Sequence, residues 1–109
     1  MTERYDVRYS QEAIQDIKNI YLYLADELCV LKTAAAQIGR IMKAVRSLEE
    51  MPERHVLVSW EPWHSMEMRQ MRVDHFVVYY LAHGDGKTVT IVRVFYGGRN
   101  ISRMIQTEK

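Results

Sequence analysis

A single cysteine, Cys29, stands among 109 residues. One thiol closes no intramolecular disulfide, which fits a reducing, cytoplasmic compartment. Its neighbours Leu28 and Val30 favour a packed thiol, a reactive one being the alternative. Long apolar runs are missing as well. None approaches the roughly 18 residues of a membrane helix, and the N-terminus, MTERYDVRYS, is charged where a signal peptide is apolar. No membrane association is expected. The four histidines lack HxxxH spacing, and Cys29 has no second ligand nearby, so no metal is expected. Gly97-Gly98 lacks the lysine and serine or threonine of a phosphate loop. No cofactor is expected. An excess of one charge is also absent: the net charge is +1. The halves differ, with nine acids against seven bases in residues 1–53 and five against eight in residues 54–109. That modest basic bias allows an anionic partner without requiring one.

What the chain has in quantity is β-branched and aromatic residues near its C-terminus. Residues 76–81, FVVYYL, and 89–96, VTIVRVFY, flank a loop with Gly84 and Gly86. Two such runs around a glycine-containing loop predict an antiparallel hairpin, with the glycines supplying positive φ. Both runs are apolar on both faces, which places both strands inside a sheet. The stretch MEMRQMRV before them predicts a further strand, with a tight turn at Asp74-His75.

The first half reads differently. Tyr5, Val7 and Tyr9 alternate with Asp6 and Arg8, a half-exposed strand. Ser10 can cap a following helix, and Glu12 suits its first turn. Apolar residues at 13, 14, 17, 20, 21, 24 and 28 form its buried face, opposite Gln15, Asp16, Lys18, Asn19 and Asp26. A second helix follows, with Thr33 as its cap and Ala35, Ile38, Ile41, Met42, Val45 and Leu48 as its stripe. It ends near Met51, because Pro52 disfavours helical geometry before it. Gly39 inside it predicts a close approach of the two helices. Residues 53–65 have no period; they predict a short strand at 56–58 or a loop pinned by Trp60 and Trp63. Asn100, Ile101, Met104 and Ile105 predict a short C-terminal helix.

The expected fold is a single α+β domain over residues 1–109. An N-terminal strand and a two-helix pair pack on an antiparallel sheet with a three-stranded C-terminal meander, leaving the other face of the sheet for a partner.

At this point four stretches carry a resemblance: VRYSQEAIQDIKNIYLYLADEL, VRSLEEMPER, MRQMRVDHFVVYYLA and VTIVRVFYGGRNISRMI. In this order and spacing they resemble the RelE/ParE toxins of bacterial type II toxin–antitoxin pairs. The resemblance implies the same α+β fold and a cognate antitoxin encoded beside the toxin, with which it forms a hetero-oligomer. RelE-like members cut mRNA on the ribosome; ParE-like members poison DNA gyrase. Arg69 aligns with a basic position of the nucleases, and Arg99 with an arginine near the phosphate. The arginine expected at the next strand falls on Phe76, and the late tyrosine or histidine falls near Ile105. VRVFYGGRNI is closer to the ParE-like side.

The residues themselves leave several roles open. Arg69, Arg72, Arg93 and Arg99 could clamp a phosphate, or meet a protein target together with Tyr96. None of the arginines is a base; that role would fall to His64, His75, His83, Glu67 or Tyr96. Arg93 interrupts an apolar strand, so it needs a partner, structural or functional. Trp60 and Trp63 suit stacking on bases or a lid on the core. Met66, Met68 and Met71 suit an adaptable antitoxin-binding surface or core filling. Three functions follow in order: a toxin that binds DNA gyrase, a ribosome-dependent endoribonuclease toxin, and a non-toxic module that binds its antitoxin.

Overall fold

A computed structural model describes residues 4–27 and 31–97. The chain runs β1 (Asp6–Tyr9), α1 (Gln11–Glu27), α2 (Leu31–Arg46), 3-10 turns at Ser47–Glu49 and Pro52–Arg54, β2 (Arg69–Val73), β3 (Phe76–His83) and β4 (Thr88–Tyr96). Cys29, Arg99 and the expected C-terminal helix with its Asn100 cap lie outside the described residues.

The four strands form one sheet in the order β1-β4-β3-β2. The two apolar runs are its central pair, as their two-faced character requires. β2, β3 and β4 are the expected antiparallel meander, while β1 joins β4 in parallel. β4 therefore runs in the same direction as both β1 and β2.

Ser10 caps α1 as expected: the Ala13 N–H donates to its Oγ at 3.0 Å, and that hydroxyl donates to the Val92 carbonyl at 2.8 Å. The faces of both helices depart from the sequence reading. In α1, Ile14 is exposed and Asp16 is buried. In α2 the buried stripe is Ala34, Gln37, Ile41 and Val45, continued by Leu48 in the first 3-10 turn; Ala35 and Met42 face outward. Gln37 is buried because its amide donates to Asp74 in the β2–β3 turn at 2.9 Å, where Arg40 also donates at 2.8 Å. These two bonds, Arg40 foremost, hold the Asp74 carboxyl below the usual range. Thr33 lies inside α2, which starts at Leu31 and gives way to the 3-10 turns after Arg46.

Gly39 is no helix contact. It is exposed, and a methyl group there would meet nothing within 4 Å. Gly39→Ala is therefore expected to stabilise the protein by about 0.5–1 kcal/mol, read as a higher midpoint in urea with unchanged slope. The loop glycines also differ from expectation, since neither has positive φ; Lys87 takes the left-handed conformation at φ 48°. Asp74 does so in the β2–β3 turn at φ 56°.

The helices cover one face of the sheet over a core that includes Ile41, Leu48, Val78, Tyr80 and Ile91. The opposite face is covered too. Residues 55–68 fold across it and bring Val58, Trp63 and Met68 onto Val77, Tyr79 and Phe95. Trp60 and Trp63 are the lid: their rings stack at 4.8 Å, and Trp63 lies 4.8 Å from Tyr79. Leu57 makes a single bridge to Arg69, so this segment is a pinned loop and not a strand. Tyr80 fixes its start by donating to the Pro52 carbonyl; burial pushes that phenol up to about 12.

Candidate functional site

The sheet pairing decides which sequence candidates can act together. β4 carries a bulge: Tyr79 faces Arg93 and Tyr80 faces Ile91, so Val92 is the extra residue. Past the end of β1, the first turns of α1 run along this part of β4. Asp16 reaches in and accepts from Arg93 Nε at 2.8 Å, Arg93 Nη2 at 3.1 Å and the Val94 N–H at 2.9 Å. The Arg93 guanidinium also lies 4.4 Å over the Phe95 ring. Arg93 thus has its structural partner, and its charge is neutralised inside the fold.

Arg69 lies at the start of β2. Its Nη1 donates to the carbonyls of Glu53 and His55 at 3.0 and 2.6 Å. It borders a cleft of about 160 Å³ that also holds Glu53, Glu67 and His83. Two carboxylates beside a tethered arginine repel a phosphate. Gly97, by contrast, lies at the other end of β2, where its N–H donates to the His75 carbonyl at 2.8 Å. Arg69 and the Gly97 end are therefore separated by the length of β2, about 13 Å at 3.3 Å per residue.

That second end carries exposed groups. Arg72 is exposed on β2, with no ion pair among the described residues. A methyl group on Gly97 would lie 3.1 Å from its Nη2, so the glycine is what lets β4 end this close to it. Tyr96 is 52% exposed and packs edge-on against Phe76 at 5.9 Å. Phe76 itself is buried. His75 is exposed in the turn. By register, Arg72 opposes Val77 on the lidded face and Tyr96 opposes Phe76 on the helical face. The two side chains flank the end of the sheet and do not converge on one point.

The methionines separate. Met68 (0% exposed) and Met71 (5%) are core residues, one on each face of the sheet, and form no docking surface. Met66 is half exposed beside the Arg69 cleft. Of the candidate bases, His64 Nδ1 lies 2.9 Å from the Val58 carbonyl, and His83 and Glu67 stand at the Arg69 cleft. His55 is a residue the sequence did not single out. Burial, then the cations of Arg54 and Arg69, push its pKa below 6.5, and its Nε2 is buried without a hydrogen-bond partner among the described residues. A histidine held neutral in this way contributes stability above its unfolded pKa, which is lost as pH falls through about 6.5 toward the folded value. Melting temperature is therefore expected to drop below that pH, and less steeply in His55→Phe.

Among the described residues no three His, Cys, Asp or Glu side chains form a metal-binding group, and no helix is long and apolar enough to cross a membrane. Asp16 was missed as a site residue although Arg93, an arginine inside an apolar strand, signalled that an acid had to be near.

Comparison with known proteins agrees with this architecture. Three solved toxin–antitoxin structures share the fold. One is the chromosomal ParDE system from P. aeruginosa, with 17% identity and a TM-score of 0.70 over 87% of this chain and 98% of that one. The second is the RelBE2 complex from Mycobacterium tuberculosis, with 19% identity and a TM-score of 0.62 over 85% and 91%. The third is the archaeal RelE–RelB complex from Pyrococcus horikoshii OT3, with 17% identity and a TM-score of 0.59 over 91% and 99%. No curated protein matches the chain by sequence. The family model for the ParE toxin of the parDE type II toxin–antitoxin system matches residues 7–101. The chain belongs to the ParE toxin family of type II toxin–antitoxin systems.

Proposed function

We propose that this toxin stops growth by binding a cellular protein, DNA gyrase, and that a cognate antitoxin neutralises it in a hetero-oligomer. One observation carries the reading. Arg69, the phosphate candidate, is tied to two backbone carbonyls beside Glu53 and Glu67, at the opposite end of β2 from Arg72, which has no ion pair among the described residues. Phosphoryl chemistry on RNA needs donors and an acid–base group converging on one phosphate. Here Arg93 is held by Asp16, Phe76 is core, and the lidded face is filled by Trp60 and Trp63. A protein partner needs only a rigid edge with an aromatic and a cation, the residue types that dominate interface energies. Arg72 and Tyr96 supply them, and Arg99 follows directly in the chain.

Arg72→Ala, Tyr96→Ala and Arg99→Ala are each expected to relieve growth arrest while leaving the melting temperature within a few degrees of wild type. Growth after induction without antitoxin, with thermal melts on the same proteins, reads both effects. A triple variant that still arrests growth fully would place the target contact elsewhere.

A further inference from the structure

Arg72 pairs with Val77 across β2 and β3, and Val77 pairs with Phe95 across β3 and β4. The Arg72 side chain follows that row. It crosses β3 on the lidded face and brings its Nη2 to the end of β4, where a Cβ on Gly97 would lie 3.1 Å away. The same Cβ position is 3.4 Å from Val77 Cγ2 and 3.3 Å from the His75 carbonyl oxygen. The guanidinium therefore rests in a slot between Val77 and the bare backbone of Gly97. An arginine laid across a neighbouring strand has given up rotamer freedom before any partner arrives, which lowers the cost of the contact it makes. Gly97 has no positive φ, so its backbone would suit other residues. What the glycine supplies is room for Arg72.

The charge at this end is one-sided. Asp74, the acid of the β2–β3 turn, is held by Arg40 at 2.8 Å and by Gln37 at 2.9 Å. Residues 72–77 and 94–97 contain no second acid, and Arg72 has no ion pair among the described residues. A planar fork fixed in this way matches a carboxylate through two parallel N–H···O bonds. A nucleic-acid backbone needs a row of cations. Arg72 is the single arginine or lysine within those two stretches.

We propose that the target-protein surface meeting this end is acidic, that one of its carboxylates docks on Arg72, and that Gly97 is the positioning residue that keeps the guanidinium in place for it. This rests on the gyrase reading given above and adds the chemistry of the contact and the residue that sets its geometry.

The test measures binding of the full chain to purified, DNA-free gyrase by surface plasmon resonance, with thermal melts on the same proteins. Arg72→Ala is expected to raise Kd roughly 10- to 100-fold, the loss of hydrogen bonds to a charged group. Arg72→Lys keeps the charge without the fork and should lie between alanine and wild type. Gly97→Ala forces the guanidinium aside by a few tenths of an ångström. It should raise Kd roughly three- to tenfold, part of the same loss. In the Arg72→Ala background it should have no further effect, because no guanidinium remains to displace. Should Gly97→Ala melt far below wild type, the order of wild type, Arg72→Lys and Arg72→Ala carries the test. Equal effects of Gly97→Ala in both backgrounds would mean that the glycine acts through the strand and not through Arg72. Arg72→Ala binding as tightly as wild type would remove the carboxylate contact. Either result overturns the inference, as does binding that occurs only when gyrase holds DNA, which would make the contact a phosphate. If the wild type binds gyrase in neither form, the gyrase reading fails and takes this inference with it.

Discussion

Asp16→Ala is expected to destabilise the protein by about 3–5 kcal/mol, the usual consequence of removing one member of a buried ion pair. The Asp16 and Arg93 side chains are 11% and 20% exposed, so water does little to replace the bond. Two losses add. Arg93 gives up both contacts to its carboxylate, and the Val94 N–H at the bulge loses its acceptor. Asp16→Asn separates them: it keeps an acceptor for Val94 but not the charge, and should fall between wild type and alanine. The double variant Asp16→Ala/Arg93→Met should recover part of the stability, because no buried cation then remains. Urea unfolding of the three proteins measures this. A cost below about 1 kcal/mol for Asp16→Ala would mean that the pair behaves as a surface salt bridge.

The second large effect is expected at the lid. Trp63→Ala should cost about 3–5 kcal/mol, the range for deleting a buried aromatic side chain. Trp63 is 6% exposed and lies between Trp60 and Tyr79. Trp60→Ala should cost less, since Trp60 is only partly buried. Both changes should abolish the near-ultraviolet circular dichroism of the stacked pair, but Trp63→Ala should also lower the denaturation midpoint strongly. Equal, small costs for the two would show that the loop merely rests on the sheet.

Several of these features were legible in the sequence. The apolar runs at 76–81 and 89–96 gave the central strands, because a strand buried on both faces has no room for alternation. Ser10 gave the start of α1, and Arg93 announced a missing acid. Asp16 was legible by angle but hidden by chemistry: it stands three residues after Ala13 and four before Ile20, on the buried side, yet its polarity suggested solvent. Gln37 misled in the same way: the expected stripe held at Ile41, Val45 and Leu48, but at its start the buried residues are Ala34 and Gln37, and Ala35 faces outward. The lid was not legible, since residues 53–65 have no period and only long-range contact decides which face of the sheet they cover. The division of Arg69 from the Gly97 end was equally hidden, because it follows from register and not from spacing. Positive φ at Lys87, where two glycines stood nearby, shows that a turn's permissive residues need not be the ones that take the strain.

The most direct measurement is supercoiling of relaxed plasmid by purified gyrase in the presence of this protein. The account expects inhibition that rises with toxin concentration, disappears on adding the antitoxin, and is lost in the Arg72→Ala/Tyr96→Ala variant. Undiminished supercoiling at a large excess of toxin that still arrests growth in cells would contradict it.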